Sequence, residues 1–408
     1  MQAPTPDPTP EIRRKLLAWF DAQKRQLPWR GTDDPYRIWV SEVMLQQTTV
    51  GAVHPRYAPF LARFPDLATL ARAREQSVLA AWSGLGYYAR ARNLHRSARL
   101  IVRHHGGRVP DDPDALRALP GFGRYMAAAV ASLAFGRRIV AADANVTRVL
   151  SRLFAIGGTA GRRRHAASVE RHGAALLMRG RPGEITAALM DLGQLVCTAR
   201  RPDCGACPLA AKCAAFRSGR AQRYPRRAPK APTLRVFVAA ACVVRKDRAL
   251  LIQRPGNLLR DLWQFPSGEG ASPWAAARAL KRELAALRLR RVDSQSPFVT
   301  QHTIVNRRLD ISVYRAELNS RSQAPDTRST RWFTVRQLRS AAIPTLTRKI
   351  AVAFGFLPDH NRRILLRDES RDVASDPGSH RRGRHRPGVD STQGRHRLPT
   401  QDPAAIER

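Results

Sequence analysis

The chain of 408 residues has little acid, few cysteines and no long apolar run. Nothing in it approaches the stretch of about 18 apolar residues that a membrane-spanning helix needs, so no helical span is expected. Met1 to Pro10 lacks an apolar segment of signal-peptide type. A reducing, bacterial-type cytoplasm is therefore the expected compartment, and disulfides are not expected. No internal repeat is visible. Asp and Glu number 32 against 71 Lys and Arg, a formal charge of +39. Such an excess points to a polyanionic partner, nucleic acid first, with part of the arginine bias attributable to a GC-rich genome.

The chain is too long for one ordinary domain, and its pattern changes once. From Glu11 to about Phe216, apolar residues recur three and four apart, as in IRRKLLAWF and RYMAAAVASLAF, which predicts helices. A basic, proline-containing linker follows, SGRAQRYPRRAPKAP. Beyond it, TLRVFVAAACVVRKDRALLIQRP reads as two strands, WAAARALKRELAAL as a helix and RRLDISVYRAEL as a strand. The expected organisation is a mainly α domain (11–217), a linker (218–233), an α+β domain (234–358) and a disordered basic tail (359–408). The tail is expected to touch DNA only nonspecifically.

What cysteine there is, is concentrated. Cys197, Cys204, Cys207 and Cys213 have six, two and five residues between successive members, a spacing suited to a cage of four thiolates. Structural zinc usually shows two close pairs; only Cys204 and Cys207 form one here, which favours iron–sulfur over zinc. Cys242, within an apolar run, reads as a core residue.

Gly121 and Gly123 in LPGFG separate two helical segments and offer bare N–H groups at a helix N-terminus, a helix-hairpin-helix pattern able to seat a phosphate. Asp143 precedes a helical run beginning at about Val146, where an Asp serves equally as an N-cap. Glu42 lies in the mostly apolar helical segment IWVSEVMLQQT, where burial raises a carboxyl pKa. One acid plus one carboxylate is the minimal apparatus for cleaving a glycosidic bond. SGLGYYARARNLH, with Tyr87, Arg90 and Arg92, interleaves aromatics, glycines and arginines. It reads either as a wedge into base stacks with arginines on phosphates, or as a core tyrosine pair with solvated arginines.

LPWR, DPYRIWVSEVMLQQT, GLGYYARARNLH, LPGFGRY, DANVTRVLSRL and the four-cysteine loop, in this order, resemble the MutY-type adenine DNA glycosylases of the endonuclease III superfamily. The resemblance covers about 27–213, and more weakly extends to about 356. It implies a two-lobed helical glycosylase domain with a [4Fe–4S] cluster, acting on double-stranded DNA to excise adenine mispaired with 8-oxoguanine or guanine. It implies further that Glu42 is the catalytic acid, that Asp143 stabilises the cation-like sugar with Asn145 close by, and that Tyr125 assists. Gln47 and Tyr87 resemble intercalating wedges. Trp29, Arg30, Leu45, Gln46 and Thr48 resemble their neighbours around an extruded nucleotide. Arg200 and Arg201, in the cysteine loop, suit the phosphate backbone.

LLIQRP and LWQFPSGE resemble the Nudix-like domain that reads 8-oxoguanine in this family. Its helix supplies Glu283 but no further acids for magnesium, so pyrophosphate hydrolysis is not expected. Other departures bear on specificity. Tyr125 and Thr147 stand where lyase-active or other relatives carry lysine, which points to a monofunctional enzyme. Thr186 and Ala187 replace an Asn followed by Gln or Glu, and residues 302–306 read HTIVN where the family has a Ser or Thr hydroxyl at Val305. An endonuclease III-like glycosylase/lyase and a non-catalytic or redox-sensing iron–sulfur DNA-binding protein are the alternatives.

Overall fold

The computed structural model describes residues 9–23, 25–229, 231–254, 259–291, 297–318, 327 and 329–358. The tail expected from 359 lies outside the described residues. Among the described residues, twelve α-helices occupy the first part: α1 (Thr9–Gln23), α2 (Pro35–Leu45), α3 (Val50–Arg63), α4 (Leu67–Arg72), α5 (Glu75–Ala81), α6 (Ala89–His104), α7 (Pro113–Arg117), α8 (Arg124–Phe135), α9 (Ala144–Leu153), α10 (Arg163–Leu177), α11 (Pro182–Leu195) and α12 (Ala214–Arg217). Their starts are written in the sequence. Asp34 precedes Pro35 and accepts from the Tyr36 and Arg37 N–H groups, and Asp112 before Pro113 caps α7 in the same way. Gly136, at φ 61°, closes α8 in the left-handed conformation that glycine adopts without a Cβ penalty.

These helices build two cores. One gathers Trp39, Phe60, Leu79, Trp82, Leu94 and Met126 from α2 to α8. The other gathers Ile12, Leu16, Leu150, Leu176 and Leu189 from α1 and α9–α11, with Cys197, Cys207 and Cys213 packed at its margin. The two-lobed reading of the helical part therefore holds. α2 is buried nearly all round, with Glu42 between Ser41 and Val43 among its buried residues.

The second part holds β1 (Leu234–Arg245), β2 (Arg248–Ile252), β3 (Ser267–Gly270), β4 (Leu289–Arg291), β5 (Phe298–Ile304), β6 (Arg307–Leu318) and β7 (Thr330–Thr334), with helices α13 (Pro273–Ala286), α14 (Val335–Ser340) and α15 (Thr345–Ala353). β1 runs parallel to β6 and antiparallel to β2 and β3, and β5 and β6 form a hairpin with Ile304 opposite Arg307. Alternate residues of β1 face two cores: Val238, Ala240 and Cys242 one, Ala239, Ala241 and Val243 the other. The α+β expectation and the buried Cys242 both fit this arrangement.

The linker is not a free tether as far as Arg227. Ala160 N–H donates to the Arg226 carbonyl at 2.9 Å, and the Arg152 Nε donates to the Tyr224 carbonyl at 3.1 Å. The two parts also share a core, because Leu262 and Ala342 from the second pack within the α2–α8 cluster of the first.

Candidate active site

A cleft of about 1610 Å³ opens where the two lobes and the second domain meet. Glu42 from α2, Tyr125 from α8, and Asp143 and Asn145 at the start of α9 line it, as do Leu45, Gln46, Gln47, Thr48 and Tyr87. His302, Thr303, Ile304 and Val305 of the β5–β6 hairpin line it too.

Glu42 is 7 % exposed, and its Oε2 accepts a hydrogen bond from the Tyr125 hydroxyl at 2.7 Å. Burial raises its pKa to about 7; the Tyr125 hydrogen bond opposes that rise, the charge of Asp143 adds to it and Arg30 again opposes it. Asp143 is also raised by burial, while hydrogen bonds from Val146 N–H at 2.6 Å and Asn145 Nδ2 at 2.9 Å favour its ionised form. The N-cap and catalytic readings of Asp143 are thus compatible: one carboxylate oxygen caps α9, which begins at Ala144 rather than Val146, while the residue lines the cleft. The arrangement holds one carboxyl near half-protonation beside another supplied with donors for its anion, which is how a glycosidic bond is attacked from both sides.

Asn145 is itself held. The Arg148 Nη2 donates to its Oδ1 at 2.8 Å and to the Gly193 carbonyl at 2.7 Å, and the Arg148 Nε donates to the Cys197 carbonyl at 2.8 Å. Arg152, 2 % exposed, donates to the Cys197 sulfur at 3.3 Å and to the Thr198 carbonyl at 2.7 Å. α9 therefore carries the cleft carboxylate at one end and grips the cysteine loop along its side.

All four loop cysteines are free and half-buried. Burial pushes the Cys207 thiol up to about 11, and Cys197, Cys213 and Cys204 push the same way. Thiols that crowd one another like this become stable thiolates only beside positive charge, which iron supplies. The donor set fits an iron–sulfur cluster.

Several expected residues sit elsewhere. Trp29 is buried, edge-on to Tyr57 with ring centroids 5.5 Å apart, and does not line the cleft: its indole is worth more in the core than at a wet surface. Arg30 also stays outside the lining; its Nη1 is 2.6 Å from the Oδ2 of Asp191, a nearly inaccessible carboxylate that Arg25 pairs from its other oxygen. The sequence places Arg90 and Arg92 either on phosphates or in solvent. Arg90 is instead buried among carbonyls, and Arg92 pairs with Glu75 at 3.2 Å and donates to the Arg260 carbonyl of the second domain. Within the tyrosine pair, Tyr87 is exposed, while Tyr88 is buried with its hydroxyl on the Ile343 carbonyl at 2.7 Å. Gly121 (φ 83°) and Gly123 are exposed in the turn before α8 and lie away from the cleft; a Cβ on Gly121 would sit 2.7 Å from the Cβ of Asn93. Arg200 and Arg201 are exposed. Arg148, Arg152, Arg227 and Tyr224 line the cleft without having been singled out for it. Only a three-dimensional path brings the linker there.

Fold and site define a class, and a family model agrees: residues 40–172 match the HhH-GPD superfamily base excision DNA repair proteins. Residues 197–213, the span of the four cysteines, match the iron–sulfur binding domain of endonuclease III, and 239–353 match the NUDIX domain. Within that class the chain belongs to the adenine DNA glycosylase family. It is 33% identical to the adenine DNA glycosylase of Rattus norvegicus over 433 residues, which cover 91% of this chain and 82% of that protein. Identity to the Homo sapiens enzyme is 32%, covering 83% and 73%, and to the Mycobacterium tuberculosis (strain H37Rv) enzyme 44%, covering 48% and 64%. The cysteine loop holds a [4Fe–4S] cluster. No helix among the described residues is long and apolar enough to cross a membrane.

Proposed function

We propose that this chain is a monofunctional base-excision repair enzyme that hydrolyses the N-glycosidic bond of adenine opposite 8-oxoguanine or guanine in double-stranded DNA. The observation that carries the reading is the buried Glu42, raised to about 7 and bonded to Tyr125, in one cleft with Asp143. Protonated Glu42 donates to the purine and the bond from C1′ to N9 breaks with its electrons going to the base. The Asp143 carboxylate faces the cationic sugar, water adds to C1′ and its proton passes to the Glu42 carboxylate. Base extrusion brings the bond within reach, with Gln47 and Tyr87 entering the stack. The monofunctional reading is supported by the cleft lining, which contains no lysine among the described residues to form a Schiff base. The cluster supplies a rigid clasp for the loop carrying Arg200 and Arg201. The domain limits proposed are 11–217 and 234–358, joined by 218–233.

Val305 faces the cleft without a hydroxyl, and Asn306 is not in the lining, so we infer a weaker preference for 8-oxoguanine over guanine than the Ser-bearing loop gives. Single-turnover excision measured side by side on A:8-oxoguanine, A:G and A:C duplexes tests both points. Wild-type excision retained by Glu42→Gln or Asp143→Asn would reject the assigned roles. A borohydride-trapped adduct would replace the hydrolase with a glycosylase/lyase.

A further inference from the structure

Two loops bring the wedge residues to the cleft, and each has a backbone that needs support. Gln47, two residues past the end of α2, has φ 54°, and Tyr87, between Gly86 and Tyr88, has φ 46°. Both lie in the left-handed region, which crowds a residue with a Cβ and persists only where neighbours over-determine it. Directly between the loops, the Thr48 hydroxyl reaches the Leu85 carbonyl at 3.4 Å.

Arg90 fills the space between them. Its Nη1 donates to the Val43 and Met44 carbonyls, both at 2.9 Å, and to that of Gln46. Its Nη2 donates to the Thr48 hydroxyl and the Leu85 carbonyl, both at 2.9 Å, and to the Gly86 carbonyl at 3.2 Å. One prong of the fork thus serves the first loop and the other joins it to the second. Val43 and Met44 belong to the last turn of α2, whose carbonyls have no partner within the helix and whose dipole favours a cation. The guanidinium lies 5.5 Å from the Trp82 ring centroid and 5.6 Å from that of Tyr87. Arg90 is 8 % exposed and pairs with no carboxylate among the described residues, its polar contacts being carbonyls and one hydroxyl. A cation desolvated without a counter-ion is costly, and here its hydrogen bonds go to main-chain groups and one hydroxyl of two loops.

We propose that Arg90 is a positioning residue that fixes the spacing of the two wedge loops, so that Gln47 and Tyr87 enter the DNA stack as one rigid pair. The inference rests on the wedge reading of those two residues. It requires the planar fork: a lysine keeps the charge and most of the stem but presents a single nitrogen, which cannot span both sets of acceptors.

The test uses the full-length holoenzyme and a duplex with 2-aminopurine in place of the target adenine, whose fluorescence rises when the base leaves the stack. Arg90→Lys should slow that rise and single-turnover adenine excision together, by about tenfold or more. Its affinity for a duplex with an abasic site, where no base needs extrusion, should stay within about threefold, and the cluster absorbance should be unchanged. In a double-mutant cycle with Gln47→Ala the losses should be less than additive, because both act through one loop. Wild-type unstacking in Arg90→Lys, or fully additive losses, overturns the staple while leaving the wedges intact. Wild-type unstacking in both Gln47→Ala and Tyr87→Ala overturns the wedge reading and the staple with it. If Arg90→Lys does not fold, Thr48→Val removes one acceptor of the second prong; it should slow unstacking in the same sense, and no slowing counts against the proposal.

Discussion

Glu42 is a carboxyl held where ionisation is costly, and that cost has a sign that can be measured. As an acid it works only when protonated, so excision should fall as pH rises through about 7. In the proposed mechanism the acid limb belongs to Asp143, which acts ionised and is also raised by burial. Tyr125→Phe removes the donor that favours the Glu42 anion, so the alkaline limb should move to higher pH while the maximal rate falls. A limb that stays put or moves down would separate Tyr125 from the acid. The same burial predicts a stability effect. The folded-state pKa of Glu42 lies above its ordinary 4.5, so its contribution is fully present below that value and is lost as pH rises through about 7. A shift of this size is on the order of 3 kcal/mol. Glu42→Gln should therefore be near neutral in stability at about pH 4 and more stable than wild type by a few kcal/mol at about pH 8, though inactive. Urea unfolding at the two pH values decides it, and equal stability at the higher one would mean that the carboxyl is not held in this environment.

At the scale of elements, the site depends on how closely α9 and α11 approach. Gly193 makes that approach possible: a Cβ there would lie 2.6 Å from the Asn145 Cβ and 3.1 Å from its Cα. Gly193→Ala should displace Asn145, and with it the amide bonded to Asp143, costing about 1–3 kcal/mol from overpacking and lowering excision more than DNA affinity. Retained activity at wild-type stability would show that the helices part without consequence. The cysteine loop is clasped by Arg148 and Arg152 of α9, so Cys204→Ser should lose cluster absorbance and DNA binding while the helical circular dichroism persists. Unchanged binding in cluster-free protein would end the clasp reading. Much at this scale was legible in the sequence. Apolar residues three and four apart announced the helices, the change from helical to strand periodicity marked the second domain, and RRLDISVYRAEL became β6 residue for residue. Arg90 was not legible as a staple, nor Trp29 and Arg30 as residues outside the cleft. An arginine among tyrosines reads as a DNA contact until the carbonyls of a distant helix end are seen around it. Local sequence records charge and periodicity, but not which loop a side chain folds back upon.

The whole molecule joins its two parts by more than a linker, and this sets how the second domain can act on the cleft. Leu262, fully buried, and Ala342 complete the core of the α2–α8 lobe, and Tyr88, next to the exposed Tyr87, is tied to the Ile343 carbonyl. The Arg348 Nη2 donates to Ser83 at 3.1 Å, and Gln76 reaches the Asp261 carbonyl at 3.1 Å. A shared core of this kind predicts one cooperative thermal transition for both domains, whereas domains on a flexible tether melt separately. Leu262→Asp puts an unpaired carboxylate into that core, several kcal/mol against it, and the charge escapes only if the domains part. Calorimetry should then show two transitions, the His302–Val305 hairpin should lose its fixed place along the cleft, and any preference for 8-oxoguanine should fall toward the rate on A:G, with adenine excision itself retained by the helical lobes. A single transition at the wild-type temperature with selectivity intact would show that the interface carries neither stability nor recognition.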